Sequence, residues 1–107
     1  MALVRVADLA ELASHEGTIV AVGARRVALF RVGDEVLALD NVCPHSGGPI
    51  GLGELEGTVV TCPLHGWQFD VRTGACVSVS GEGVASWPTR VEGTTVYVDL
   101  DEEALAR

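Results

Sequence analysis

Short runs of β-branched or alternating apolar residues recur along the chain, and this pattern predicts β-strands rather than long helices. The predicted strands cover residues 3–6, 18–22, 27–32, 35–40, 58–61, 68–71 and 95–100, with a further strand around Val91. In the last run, Val96, Val98 and Leu100 share one face of the strand. Many short strands joined by glycine-rich turns predict an all-β fold, either an antiparallel β-sandwich or a barrel.

Some of the connections carry their own local signals. Gly33 and Asp34 separate two predicted strands by two residues, which predicts a hairpin with a type I′ or II′ turn. Asp8 is typical of a helix N-cap, and it predicts one or two helical turns that end at Ala13. Residues 101–107 are interpreted as a polar tail or a frayed helical turn.

Length and charge narrow the class of protein. The chain has 107 residues, which predicts a single domain over residues 1–107, and no apolar run approaches membrane-spanning length. The formal net charge is −8 and lysine is absent, so nucleic acids and anionic membranes are poor partners. A basic protein surface is a better partner, although the same charge also serves solubility. The N-terminus lacks the order of basic, apolar and small residues that marks a signal peptide, so we expect a cytoplasmic protein.

The segment from residue 41 to residue 73 combines cysteine, histidine, proline and glycine. One loop reads Cys-Pro-His at 43–45, and after sixteen further residues a second loop reads Cys-Pro-Leu-His at 62–65. Proline stiffens each loop, and glycine lets the backbone pass close to a bulky group. Each loop therefore offers one thiolate and one imidazole, from Cys43, His45, Cys62 and His65. Two cysteines and two histidines divided evenly between two loops are the ligand set of a Rieske [2Fe–2S] centre.

Other interpretations of these residues stay open. Two cysteines and two histidines also bind structural zinc, but the order Cys-His-Cys-His with such unequal gaps is unlike the usual spacing of zinc fingers. Cys76 has no obvious partner and is interpreted as a small buried hydrophobic residue. Trp87 and Pro88 either close a third loop near the predicted cluster or pack the base of the fold.

These motifs resemble those of Rieske-type ferredoxins, the small electron carriers of bacterial ring-hydroxylating oxygenase systems. The resemblance covers nearly the whole chain. It is carried by the Cys-x-His and Cys-x-x-His motifs, a proline after each cysteine, Gly-Gly-Pro at 47–49, Gly-Trp-Gln-Phe-Asp at 66–70 and Thr-Gly at 73–74. It implies that Cys43 and Cys62 hold one iron and that His45 and His65 hold the other. The implied fold is an antiparallel β-sandwich (the Rieske fold) with a small inserted cluster-binding subdomain at about residues 41–73.

The resemblance also implies a function. The chain would be a one-electron carrier, not an enzyme, that takes an electron from a flavin-dependent ferredoxin reductase and passes it to a terminal oxygenase by transient docking. No second catalytic constellation is visible, so we expect no catalytic residues and no small-molecule substrate. Two alternatives stay open, namely the small Rieske subunit of an assimilatory nitrite reductase and a zinc-stabilised interaction module.

Four positions distinguish the chain from the Rieske proteins of quinol-oxidising complexes. That branch carries an extra cysteine in each ligand loop, joined by a disulfide, at positions that look like Gly48 and Leu64 here. It also places Ser and Tyr hydroxyls beside the cluster, where this chain has Trp67 and Phe69. Fewer hydroxyl donors stabilise the reduced cluster less, so we expect a potential toward the low end of the Rieske range, about −150 mV.

Overall fold

The computed structural model describes residues 3–12, 16–22, 25–43, 48–64 and 66–99. These residues form strands joined by turns and two single turns of 3₁₀ helix, and every strand pairing among them is antiparallel. The strands are β1 Leu3–Asp8, β2 Gly17–Val22, β3 Arg25–Val32, β4 Glu35–Asp40, β5 Glu54–Glu56, β6 Val59–Thr61, β7 Gln68–Asp70, β8 Ser86–Trp87, β9 Thr89–Glu92 and β10 Thr95–Asp99. The prediction of an all-β antiparallel fold is therefore confirmed.

The described strands form three sheets. Their orders are β1–β10–β9, β2–β3–β4–β8 and β5–β6–β7. Strands β3 and β4 form the predicted hairpin, in which Val32 pairs with Glu35 and Gly33 adopts a φ of 63° that favours glycine. The third sheet lies entirely within residues 41–73, which is the segment that carries both cysteine–histidine motifs.

The four-stranded sheet is covered on both faces, and this explains the continuous apolar run in β3. Val27 and Leu29 face a buried cluster that they share with Val96 and Val98 of β10. Ala28 and Phe30 face a second buried cluster, which contains Leu39, Cys43, Ile50, Leu55, Val60, Cys62, Phe69, Val71 and Cys76. Successive side chains of a strand point to opposite faces, so a strand buried on both faces needs apolar residues at every position. This second cluster joins the four-stranded sheet to the β5–β6–β7 sheet.

The helix predicted after Asp8 is shorter than expected. Asp8 does cap it, because its Oδ1 accepts from the Ala10 amide at 3.0 Å and the Glu11 carboxylate accepts from the Asp8 amide at 2.7 Å. The turn is a single 3₁₀ turn over Leu9–Glu11 and ends at Leu12, whose backbone is extended. Ala13 lies outside the described residues. Within the described ranges, no helix has the length and apolar character that a membrane crossing requires.

Candidate metal centre

The first cysteine loop follows β4, and backbone pairing between residues 41–43 and 48–50 forms a short ladder at its base. The Ile50 amide donates to the Asn41 carbonyl at 2.8 Å, Val42 forms an antiparallel bridge with Pro49, and the Cys43 amide donates to the Gly48 carbonyl at 3.0 Å. The backbone of Cys43 is therefore held in place by the last pairing of this ladder. His45, the predicted ligand from this loop, belongs to residues 44–47, which lie outside the described residues.

The second cysteine loop begins directly after β6. The Cys62 amide donates to the Trp67 carbonyl at 2.7 Å, and the Gly66 amide donates to the Cys62 carbonyl at 3.1 Å. Gly66 closes this tight turn with a φ of 76°, a conformation that favours glycine. The fourth predicted ligand, His65, lies outside the described residues.

The two cysteines lie in the same buried region, and the loops touch at Gly48. Cys43 and Cys62 are each only 1% exposed. A Cβ added to Gly48 would lie 3.0 Å from the Cys62 Sγ and 3.0 Å from the Leu64 Cγ. The loop carrying Cys43 therefore passes against the side chains of the loop that begins at Cys62. Glycine at position 48 permits this approach because it has no side chain.

The donor chemistry of this region fits an iron–sulfur cluster. Cys43 and Cys62 present soft sulfur donors in an apolar, water-poor setting beside Ile50, Val60 and Phe69. Within the ranges that the structure describes, no group of three or more Cys, His, Asp or Glu side chains comes together. The described part thus supplies two of the four predicted ligands, and the histidine assignments stay predictions.

The remaining residues that the sequence singled out have structural surroundings. Trp67 is partly buried and packs against the cluster of buried residues that contains Cys43 and Cys62. Cys76 is buried in that same cluster, with its Sγ 3.4 Å from the Ser78 hydroxyl. Trp87 pairs with Ala38 and packs against the other buried cluster, on the face of the four-stranded sheet away from both cysteines. The structure therefore favours the base-packing interpretation of Trp87.

Two ion pairs anchor the elements that lead to and from the site. The Arg25 guanidinium lies 3.3 Å from the Asp40 carboxylate at the end of β4, and it also stacks over Trp87 at 5.4 Å. Arg72, just after β7, donates two hydrogen bonds to the Glu35 carboxylate at 3.0 and 2.9 Å. These hydrogen bonds, and then the positive charge, lower the pKa of Glu35, and the same contact raises the pKa of Arg72.

Sequence reasoning missed one residue of this region. Asn41 is 7% exposed, and its Oδ1 accepts a hydrogen bond from the Gly51 amide at 2.7 Å. A polar residue between an apolar strand and a ligand loop was the available signal, but sequence alone does not reveal which amide lies opposite it.

The comparison with known families decides between the cofactors that the sequence left open. The model of the Rieske [2Fe–2S] domain matches residues 2–88. The chain belongs to the Rieske [2Fe–2S] domain family. It is 39% identical to the ferredoxin component of the naphthalene 1,2-dioxygenase system of Pseudomonas aeruginosa. The 83 aligned residues cover 76% of this chain and 79% of that protein. The family implies one Rieske-type cluster, so the iron–sulfur prediction is confirmed and the zinc-stabilised module loses its support.

Solved Rieske structures support the same class of protein. The ferredoxin of carbazole 1,9a-dioxygenase from Nocardioides aromaticivorans IC177 superposes with a TM-score of 0.85 at 34% identity, over 92% of this chain and 97% of that one. A chain of the complex of reduced oxygenase and oxidised ferredoxin in carbazole 1,9a-dioxygenase matches with a TM-score of 0.81 at 30% identity, over 90% and 91% of the two chains. Small subunits assigned to nitrite reductases share the fold at 24–27% identity.

These findings confirm the predicted functional class. The chain is a Rieske-type ferredoxin component, an electron-transfer protein and not a catalytic oxygenase subunit. The nitrite reductase alternative is less supported, because its structural matches have lower identity than the ferredoxin relatives.

Proposed function

We propose that this chain carries single electrons from a flavin-dependent ferredoxin reductase to the terminal oxygenase of an aromatic-ring dioxygenase system, in the cytoplasm. The observation that carries the proposal is the placing of two buried cysteines on two loops that touch at Gly48. Dioxygenase ferredoxins among the relatives support the oxygenase as the electron acceptor. The reductase is proposed because a one-electron carrier needs an electron donor, and the relatives are ferredoxin components of multicomponent dioxygenase systems.

Cys43 and Cys62 are proposed to hold one iron, and His45 and His65 to hold the other. The bound cluster would supply one reversible electron. Two neutral imidazoles in place of two thiolates leave the protein ligands with two negative charges instead of four, which makes an added electron easier to accept. The apolar residues around Cys43 and Cys62 exclude water and thereby shield both thiolates from competing hydrogen bonds.

The hydrogen bonds of the two loops support a low potential. The amides of Cys43 and Cys62 are each engaged by a carbonyl oxygen of their own loop. Phe69 is completely buried and has no hydroxyl to donate. These three groups therefore add little to the stabilisation of the negative charge that reduction brings.

Spectra of ligand variants test the proposed ligand set. The wild-type protein should contain two irons per chain and give a Rieske-type EPR signal after reduction with dithionite. Replacing His45→Cys or His65→Cys should retain a cluster but change both its visible and its EPR spectrum, because a thiolate donates more charge than an imidazole. His15→Gln serves as the matched control, since it removes the remaining histidine outside the motif. An unchanged spectrum in either cysteine variant would remove that histidine from the ligand set.

Reconstitution tests the place of the chain between its two partners. A flavin reductase and an oxygenase encoded near its gene should be linked by the wild-type protein, so that NADH oxidation becomes coupled to hydroxylation of an aromatic substrate. A chain without its cluster should not support this coupling. Stable co-purification with a large sirohaem subunit would instead favour the nitrite reductase alternative.

Cell fractionation tests the cytoplasmic location, and recovery in the periplasmic fraction would contradict it.

A further inference from the structure

Among the residues that the structure describes, Asn41 is the buried residue with a polar amide side chain. It is 7% exposed and stands between β4 and the first cysteine loop. Buried polar groups are retained where they have hydrogen-bond partners. The partners of Asn41 therefore indicate what its side chain does.

The hydrogen bonds of Asn41 join three segments of the chain. Its Oδ1 accepts from the Gly51 amide at 2.7 Å, and its carbonyl accepts from the Ile50 amide at 2.8 Å. Its own amide donates to the Arg26 carbonyl at 3.2 Å. These bonds close the base of the first loop and attach it to β3 of the four-stranded sheet.

The packing around Gly51 brings the Asn41 oxygen close to the loop backbone. A Cβ on Gly51 would lie 2.9 Å from the Asn41 Oδ1 and 2.5 Å from the Ile19 Cγ1. The Asn41 oxygen and the Ile19 side chain therefore pack directly against the backbone of Gly51. Without the side-chain oxygen, this buried amide would lose its acceptor, and the backbone would have to shift to find another.

A shift at Gly51 would reach Cys43 through the ladder of the loop. Asn41 with Ile50 forms its first rung, the Val42–Pro49 bridge its second, and the hydrogen bond from Cys43 to Gly48 its third. Gly48 in turn lies against the Cys62 sulfur. A displaced base therefore changes the position of one proposed ligand loop relative to the other.

We propose that Asn41 is a positioning residue that sets the geometry of the first ligand loop, and through it the electronic properties of the bound cluster. The inference rests on the proposed ligand set. It goes further by assigning to a residue outside the cysteine–histidine motifs an effect on the potential. A small displacement of a ligand loop changes the bonding to iron, and the potential of an iron–sulfur cluster responds to that environment.

The test compares two variants of Asn41 with a core control. Asn41→Leu removes the acceptor and keeps the number of side-chain heavy atoms, whereas Asn41→Asp keeps an oxygen where Oδ1 stands. Val98→Ala is the control, because Val98 is completely buried in the other hydrophobic cluster, away from both cysteine loops. Each reduced protein is measured by EPR, each is titrated for its midpoint potential, and each is unfolded in urea.

The expected result separates positioning from general stability. Asn41→Leu should change the EPR line shape and shift the midpoint potential, and Asn41→Asp should restore the wild-type line shape. Val98→Ala should lower the unfolding midpoint in urea and leave the spectrum unchanged. If Asn41→Leu does not fold, Asn41→Ser takes its place under the same criteria, because its hydroxyl is too short to reach Gly51.

Two results would overturn the inference. One is a leucine or serine variant with the wild-type line shape and midpoint potential, which would leave Asn41 with a purely structural role. The other is an equal spectral change in Val98→Ala, which would make the spectrum a general reporter of stability. Failure of the proposed ligand set would look different, since the wild-type protein itself would then lack a Rieske-type signal.

Discussion

At the scale of single residues, the proposed site depends on the missing side chain of Gly48 as much as on the proposed ligands. Gly48 has no side chain. A Cβ at this position would lie in close contact with the Cys62 sulfur. In the Rieske proteins of quinol-oxidising complexes, from which this sequence departs, the matching position is expected to carry one cysteine of a disulfide. In this chain the neighbouring side chain is Leu64, which is 57% exposed and lies over Gly48. The two loops are therefore held together at this point by packing.

Replacing Gly48 by alanine tests this close approach. The new methyl group would lie 3.0 Å from the Cys62 Sγ, which is tighter than ordinary contact. We expect Gly48→Ala to lower the iron content per chain or to alter the EPR spectrum. The double variant Gly48→Ala with Leu64→Ala should not recover, because the buried sulfur is the obstacle and the exposed leucine is not. Iron analysis and EPR measure both effects.

Gly57→Ala provides the control for that experiment. Gly57 has a φ of 60°, so alanine there is strained by roughly 1 kcal/mol, but its Cβ would meet no atom within 4 Å. This variant should lose stability without a spectral change. A Gly48→Ala protein with full iron content and the wild-type spectrum would contradict the account of the contact.

At the scale of elements, the sequence was most informative where a strand is long and half or fully buried. Strand β4 has the predicted bounds, and the β3–β4 hairpin was recognised from Gly33 and Asp34. Strands β5 and β8 were not predicted, because Glu-Leu-Glu and Ser-Trp contain no β-branched residue and one large apolar residue each. The two cysteines proposed as ligands could be singled out from their motif alone. Their burial and the support from Asn41 could not, since these depend on contacts between distant segments.

The contact between Glu35 and Arg72 links β4 to the turn after β7, and it makes a prediction about pH. Hydrogen bonding to Arg72 lowers the pKa of Glu35 below its ordinary value of 4.5. A carboxylate with a lowered pKa in the folded state stabilises the fold above its unfolded-state pKa, and this contribution is lost as the pH falls through the folded-state value. Arg72→Gln should therefore be less stable than wild type at neutral pH, by a small amount because both side chains are exposed. The difference should close as the pH falls below 4.5.

Urea unfolding at neutral and at acid pH measures this effect. Glu35→Gln supplies the matched background, because without this carboxylate the effect of Arg72→Gln should vary much less with pH, the weaker attraction to Asp70 being what remains. A stability difference that persists unchanged in acid would show that Arg72 acts through another contact.

At the scale of the whole molecule, the architecture separates stability from function. The four-stranded sheet shares one buried cluster with the β1–β10–β9 sheet and the other with the sheet that follows the first ligand loop. The cysteines lie only in the second of these clusters, so the first can support the fold without touching the metal centre.

The molecule also carries a net charge of −8 without a single lysine, which favours encounter with a basic partner surface.

Ionic strength tests the role of this charge. The rate of electron transfer from the reductase should fall by on the order of tenfold as salt rises from low to physiological concentration, because salt screens the attraction between the two proteins. Reduction by the dithionite anion is the control, and its rate should rise with salt, because screening weakens the repulsion of like charges. A reductase rate that does not depend on salt would contradict a docking role for the acidic surface.

The central claim is that the chain holds a low-potential Rieske cluster on Cys43, His45, Cys62 and His65, with few hydrogen-bond donors around it. A redox titration of the purified protein, followed by EPR, tests this claim most directly. The account predicts a Rieske-type signal that appears with a midpoint of about −150 mV. A strongly positive midpoint, toward about +300 mV, or a reduced protein without that signal would contradict it.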